Sequence, residues 1–167
     1  MKTIYLAGPD VFRADSVAWG RYLQQLCVQH GLQGLYPLDN EIEPLPDPHQ
    51  TAHAIAQANM RMIQQADGVV ANLEPFRGAE PDSGTVFEVG VAVALGKPVW
   101  VYFPWEGPLV QQVTSSENGR CHQGWLVEDF DLPRNLMLAC QWQGYSQNVE
   151  DAIAATAKFL HNNTPES

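Results

Sequence analysis

The chain predicts a single-domain α/β fold, a flavodoxin-like (Rossmann-like) three-layer sandwich around a five-stranded parallel sheet. Three observations carry that expectation. Strand-like and helix-like segments alternate from one end to the other, which places helices on both faces of a parallel sheet. The runs at 68–73 (GVVANL) and 98–103 (PVWVYF) are almost continuously apolar, as strands buried on both faces are. A length of 167 residues is enough for one sizeable core and short for two.

The elements follow in order. Residues 2–7 (KTIYLA) read as a strand closed by Gly8-Pro9. Between 16 and 30, Val17, Trp19, Tyr22, Leu23, Leu26 and Cys27 recur at helical spacing, and Gly31 stops the helix. Residues 35–36, ahead of Pro37, read as a second short strand, and the proline-rich stretch 39–50 as a loop. Residues 51–66 predict a helix with Ala54, Ile55, Ala58, Met62 and Ile63 inward. The third strand at 68–73 leads into a long loop, 74–83, and then a helix at 85–95 with its stop at Gly96. That helix is apolar on nearly all sides, so it is expected to be largely buried. The fourth strand spans 98–103. Residues 105–128 are polar and irregular, a flap or a surface excursion. A short helix at 132–138, a weaker fifth strand at 139–142 and a closing helix at 148–161 complete a domain spanning 1–162, with a frayed tail at 163–167.

Charge and cysteine usage narrow the function. A net charge of −10, with only nine Lys and Arg, disfavours nucleic acid and an anionic membrane surface as partners. Three cysteines without a C-x-x-C indicate reduced thiols and a cytoplasmic location, two of them in segments that read as buried. No apolar run reaches membrane-spanning length. There is no G-x-G-x-x-G after the first strand, no G-x-x-x-x-G-K-[ST] and no G-x-S-x-G, so dinucleotide, NTP and serine-hydrolase chemistry lose support. His49 and His53 stand four apart but lack the intervening Glu of a metalloprotease helix and any third ligand, so neither a metal nor a cofactor is expected.

The most informative stretch is Pro81-Asp82-Ser83-Gly84-Thr85-Val86-Phe87-Glu88-Val89-Gly90. It sets two carboxylates six residues apart where a loop becomes a helix. Asp82 or Ser83 can cap that helix, and the positive end of its macrodipole favours an ionised Glu88 in the first or second turn. A water-poor ionised carboxylate can attack carbon. In a parallel α/β sheet, ligands bind beyond the carboxyl ends of the strands. That rule gathers four loops into one place, those at 8–14, 37–50, 74–83 and from 103 onward, with Glu88 just past one of them and Tyr5 near the end of the first strand.

Four motifs then carry a resemblance. Tyr5-Leu6-Ala7-Gly8-Pro9-Asp10-Val11-Phe12, Ala66 to Leu73 with Phe76-Arg77-Gly78, the 82–90 segment, and Asn135-Leu136-Met137-Leu138 together resemble the nucleoside 2-deoxyribosyltransferase family. The resemblance implies an enzyme acting on 2-deoxynucleosides and free nucleobases without a cofactor. It also implies a homo-oligomer, at least a dimer, in which Asn135 and Met137 complete the neighbouring protomer's site. The residue chemistry fits: a retaining cleavage needs a carboxylate to attack the anomeric carbon and a group to handle the departing base. Glu88 would be the nucleophile, Tyr5 would orient it, and Asp82 would hold a sugar hydroxyl or contact the base. Asn72 would meet the base edge, Asp10 and Phe12 would line the base side, with Phe12 stacking, and Asp39 and Asn40 are further candidates.

Each of these residues also has a purely structural reading: Tyr5 as a core tyrosine, Asp82 as a cap, Asn135 as a helix start, Met137 as packing. Two rival functions share the fold. One is a deoxynucleoside or deoxynucleotide N-glycosidase, in which water intercepts the glycosyl-enzyme. The other is a non-catalytic nucleoside-binding module, which would have no use for a buried nucleophile.

Overall fold

In the computed structural model, which describes residues 1–113 and 118–163, five parallel strands make one sheet. They are β1 (Lys2–Ala7), β2 (Leu32–Leu35), β3 (Gly68–Asn72), β4 (Val99–Tyr102) and β5 (Gly144–Ser146). Their spatial order is β2-β1-β3-β4-β5, so the winding reverses between β1 and β3, which pair from Ile4 opposite Gly68 to Ala7 opposite Ala71. The helices are α1 (Ser16–Gln29), α2 (Pro48–Gln65), α3 (Ser83–Ala94), α4 (Leu109–Val113), α5 (Leu136–Ala139) and α6 (Val149–Asn162). This is the doubly wound, flavodoxin-like order, whose ligand crevice lies at the point of reversal.

Side chains of a strand alternate between its two faces, and β1 shows the consequence. Ile4 and Leu6 pack into a core with Leu23, Leu26 and Cys27 of α1 and with Ala152, Ile153 and Leu160 of α6. Tyr5 and Ala7 belong to the opposite core, with Ile63 of α2, Val89 and Ala92 of α3, and Leu138 of α5. Tyr5 is therefore committed to the α3 side of the sheet by its odd position on the strand. Two 3-10 turns, Pro9–Phe12 and Pro37–Asp39, follow β1 and β2 at the carboxyl edge.

Several expectations shift. The second strand lies at Leu32–Leu35 rather than 35–36, because Gly34 (buried among Cys27 and Leu6) allows a β pairing that its missing side chain had disguised. The fifth lies at Gly144–Ser146, beyond the expected 139–142, which is instead the end of α5 and a turn. The helix α2 starts at Pro48, inside the expected loop, because Asp47 caps it by accepting the His49 N–H and proline suits the first helical position. The short helix covers only Leu136–Ala139, not 132–138. The 105–128 excursion contains α4 and an antiparallel bridge between Arg120 and Leu126. Asn163 still closes α6, donating its N–H to Phe159; the rest of the expected tail, 164–167, lies outside the described residues. Of the three free cysteines only Cys27 is buried.

The largest difference concerns α3. Only Thr85, Val89 and Ala92 are buried, while Phe87 is 63% exposed and Gly90 and Ala94 face outward. Its composition is that of a buried helix, yet the chain covers a single face of it.

Gly20 sits in the middle of α1, where glycine costs about 1 kcal/mol against alanine. A Cβ there would stand 2.4 Å from the ring of Tyr36, which is 2% exposed and has no room to retreat. Overpacking of that kind costs about 1–3 kcal/mol, so it outweighs the helix-propensity gain. The Gly20→Ala variant should melt at a lower temperature than the parent in a thermal denaturation followed by circular dichroism.

Candidate active site

Glu88 lies in the second turn of α3, and the phenol of Tyr5 donates to its Oε1 at 2.7 Å. The two are 83 positions apart in the chain. β1 and α3 bring them together because Tyr5 faces the α3 side of the sheet. Burial is the largest influence on Glu88 and pushes its carboxyl up to about 7; the Tyr5 bond opposes that rise and the Asp82 charge adds to it. The dipole argument alone favoured the ionised form at ordinary pH, but in this site desolvation outweighs it. Tyr5 is itself pushed far up, first by burial and then by the Glu88 charge. It keeps its proton, so the direction of the bond is fixed: tyrosine donates and the carboxylate accepts.

Asp82 caps α3. Its Oδ2 accepts from both the N–H and the Oγ1 of Thr85, each at 2.9 Å. Its Oδ1 has no partner among the described residues, which leaves one oxygen for a ligand while the other holds the helix. The two readings of Asp82 are thus compatible, one for each oxygen.

Two adjoining cavities flank Glu88. The first, about 370 Å³, is bordered by Gly8, Val11, Phe12, Leu38, Asn59, Asp82 and Thr85 among others. The second, about 390 Å³, runs along the groove between α2 and α3 past Ala56, Met60 and Phe87. Ile55, Asn59, Gly84 and Glu88 border both. Gly84 stands one helical turn before Glu88 on the same face, and its missing side chain keeps that wall open. The walls are mainly apolar with a few polar groups, as ligand sites are.

A family model described as nucleoside 2-deoxyribosyltransferase matches residues 4–137. The chain belongs to that family. A 2-desoxiribosyltransferase from Leishmania mexicana is 35% identical and superimposes with a TM-score of 0.77, covering 98% of this chain and 100% of that one. An uncharacterized protein of Schizosaccharomyces pombe is 34% identical over 99 residues, 58% of this chain, and the chain spans 47% of that relative's length. A 5-hydroxymethyl-dUMP N-hydrolase of Rattus norvegicus is 29% identical over 116 residues, 68% of each.

The other candidates expected from the deoxyribosyltransferase resemblance are distributed unevenly. Phe12 borders the first cavity and is 60% exposed. Its ring stacks on Phe76 at 5.6 Å, with the Arg77 guanidinium over both rings. Asp10 and Asn72 lie behind that wall, 6% and 5% exposed, and border neither cavity. Both ends of the Asn72 amide are engaged: Nδ2 donates to Asp10, at 3.3 Å to the nearer oxygen, and Oδ1 accepts the Glu74 N–H. Burial pushes the Asp10 carboxyl up against the opposing Asn72 bond. A side chain on Gly8 would meet Asp10 Oδ2 at 2.5 Å, so glycine and this carboxylate shape the turn together. Asp39 accepts from the Tyr36 N–H and from Gln24, bracing the second 3-10 turn, whose Pro37 and Leu38 border the first cavity while Asp39 itself borders neither.

Asn135 caps α5 by accepting the Met137 N–H and donates to Glu128. Met137 is 68% exposed. Neither residue borders a Glu88 cavity; Asn135 lines a separate one beneath the 105–128 excursion. None of the described excursion residues lines the Glu88 cavities either. His49 and His53 are exposed, and no group of three metal-ligating side chains occurs among the described residues.

Asn59 is the wall residue that sequence reasoning missed. It falls four residues after Ile55 and four before Ile63, inside the inward stripe of α2. A lone amide in an apolar stripe was the available signal.

The raised Glu88 carboxyl has a stability consequence. Below about pH 4 the folded and unfolded chains both hold the proton, and Glu88 adds no pH dependence. As pH rises, the unfolded chain releases it first, so the penalty on the folded state is fully developed above about 7. Glu88→Gln should therefore raise the melting temperature relative to the parent at about pH 8 and leave it nearly unchanged at about pH 4.

Proposed function

We propose that this chain transfers 2-deoxyribose from a 2-deoxynucleoside to a second nucleobase, by two displacements at Glu88 with net retention. The observation that carries this reading is the 2.7 Å bond from Tyr5 to Glu88 beside a cavity. Tyr5 occupies Oε1, which leaves Oε2 for bond formation. In the first step Oε2 bonds to the anomeric carbon as the glycosidic C–N bond breaks, and the electron pair leaves with the base, which takes up a proton. In the second, a ring nitrogen of the incoming base bonds to the same carbon, loses its proton, and returns the carboxylate. The free oxygen of Asp82 would accept from a sugar hydroxyl, a role supported by its place on the cavity wall and by the engagement of only its Oδ2 with Thr85. The Phe12–Phe76 pair offers an apolar surface for the flat base.

Water reaching the same ester would make the reaction hydrolytic, and the similarity to a relative named as an N-hydrolase supports keeping this second reading. A 5′-phosphate would want an anion site. Arg77 lies over the two phenylalanine rings, and no basic side chain borders either Glu88 cavity among the described residues. A nucleoside therefore fits better than a nucleotide.

We extend the reading to an assembly in which Asn135 and Met137 of a second copy complete the cavity. Support comes from the exposed Met137 and from the apolar outer face of α3, with Phe87, next to the rim residue Ile55. A role in recycling nucleobases in the cytoplasm fits three free cysteines. No helix among the described residues is long and apolar enough to cross a membrane.

Incubation with deoxyinosine or deoxyuridine, with and without adenine, tests the reaction. Deoxyadenosine should form, and kcat/KM should rise with pH through about 7 as Glu88 ionises. Replacing Glu88 by Ala should reduce turnover by about four orders of magnitude or more, the scale on which nucleophile loss acts. Release of free deoxyribose at a rate indifferent to adenine would assign hydrolysis, and absence of turnover would remove the enzymatic reading. For the assembly, Glu88→Ala and Met137→Glu proteins, each impaired alone, should regain activity when refolded together. Additive activities in the mixture would refute a shared site.

A further inference from the structure

The wall of the first cavity contains one amide, Asn59, whose orientation is set by a neighbour. Asn40, from the loop after β2, directs its Nδ2 at the backbone carbonyl of Pro37 at 3.2 Å, at Asn59 Oδ1 at 3.1 Å and at the sulfur of Met62 at 3.0 Å. A backbone carbonyl can only accept. That contact therefore fixes which end of the Asn40 amide faces inward, since its own oxygen there would oppose a carbonyl and a thioether at once. With two N–H groups directed inward, Asn40 demands an acceptor from Asn59, and Oδ1 is the end supplied. The Asn59 NH2 is left as the end available to a ligand, and no acceptor for it occurs among the described residues.

We propose that Asn40 is a positioning residue that sets the hydrogen-bonding polarity of this wall. Through the pinned Asn59 amide, the cavity presents donors and selects a base with a carbonyl oxygen, rather than an amino group, at that point. The proposal rests on the reading that the cavity receives a nucleobase. Its physical basis is the asymmetry of unmade bonds: an amino group facing the Asn59 NH2 leaves donors on both sides unpaired in a half-buried place, whereas a carbonyl satisfies them. Asn40 acts through Asn59, two positions that sequence reading had no reason to join, because one lies in a loop and the other on a helix 19 residues later.

The test is calorimetric binding of matched free bases, hypoxanthine against adenine and uracil against cytosine. The parent protein is compared with the Asn40→Asp and Asn59→Asp variants. The parent should prefer the oxo member of the pair it binds by about tenfold, as one unpaired hydrogen-bonding group costs. In Asn40→Asp the carboxylate accepts from Asn59 and turns its amide around. In Asn59→Asp the Asn40 donors hold one oxygen and leave the other as an acceptor. Both should move the preference towards the amino member, and Asn59→Asp carries the test if the first variant fails to fold.

A ratio unchanged in Asn59→Asp, an equal weakening of both members, or no binding of any of the four bases to the parent would each overturn the proposal. Turnover of deoxyinosine or deoxyuridine is read separately. Turnover with an unchanged binding ratio rejects the polarity alone, and an inverted ratio without turnover keeps it while rejecting the transfer.

Discussion

The rest of this site depends on a single carboxylate held where water is scarce and a proton donor is fixed against it. Glu88 is drawn against the sheet by the helix that carries it, and Tyr5 rises from β1, an inner strand of the sheet, to meet it. Burial alone would leave such an acid neutral at physiological pH, and a neutral acid is a poor nucleophile. The phenol opposes that tendency, so the group is poised near 7, where both forms are accessible. Removing burial would lower the carboxyl towards that of an ordinary glutamate; removing the phenol would raise it further. The opposition of the two effects, more than either alone, gives the arrangement its chemical character.

The surrounding residues divide into those that face the cavities and those that hold others in place. Asp82 does both, because one carboxylate oxygen satisfies two groups of Thr85 while the second is unengaged. Asp10 and Asn72 hold the turn at the end of β1 from behind, and their polar atoms are directed at each other and at the backbone of Glu74. Asp39 does comparable work for the turn after β2. Loops at the carboxyl edge of a parallel sheet carry the ligand contacts. Buried polar pairs of this type give such loops one conformation, since each unpaired member would cost roughly 1–3 kcal/mol.

The outer face of α3 bears on the whole molecule. A helix with this much apolar surface is ordinarily enclosed, yet Phe87 stays 63% exposed while Val89 and Ala92 fill the core. The face that carries Glu88 and the open face meet at the rim of the cavity groove, where Phe87 and Glu88 are adjacent. In the proposed assembly a second copy, bringing its exposed Met137, would cover this face. Asn135, already engaged as a cap and with Glu128, would reach such a site with its amide preset.

Much of this was legible in the residues themselves, and the reasons differ by kind. Strand and helix alternation, apolar central strands and the 82–90 segment determined the fold class and singled out Glu88, because hydrophobic periodicity and capping are local properties. The odd position of Tyr5 on its strand already assigned it a face. The tertiary structure decided what no local pattern carries. It located the second and fifth strands, whose short, glycine-containing segments lack a clear apolar signal. It exposed one side of a helix whose composition reads as buried, since enclosure depends on how many elements pack around it. It turned Asn72 inward and brought Asn59 to the wall, because which amide meets the cavity depends on the packing of α2 against α3. The pairing of Asn40 with Asn59 belongs wholly to that level, for a hydrogen bond's direction follows from the acceptors around it in space.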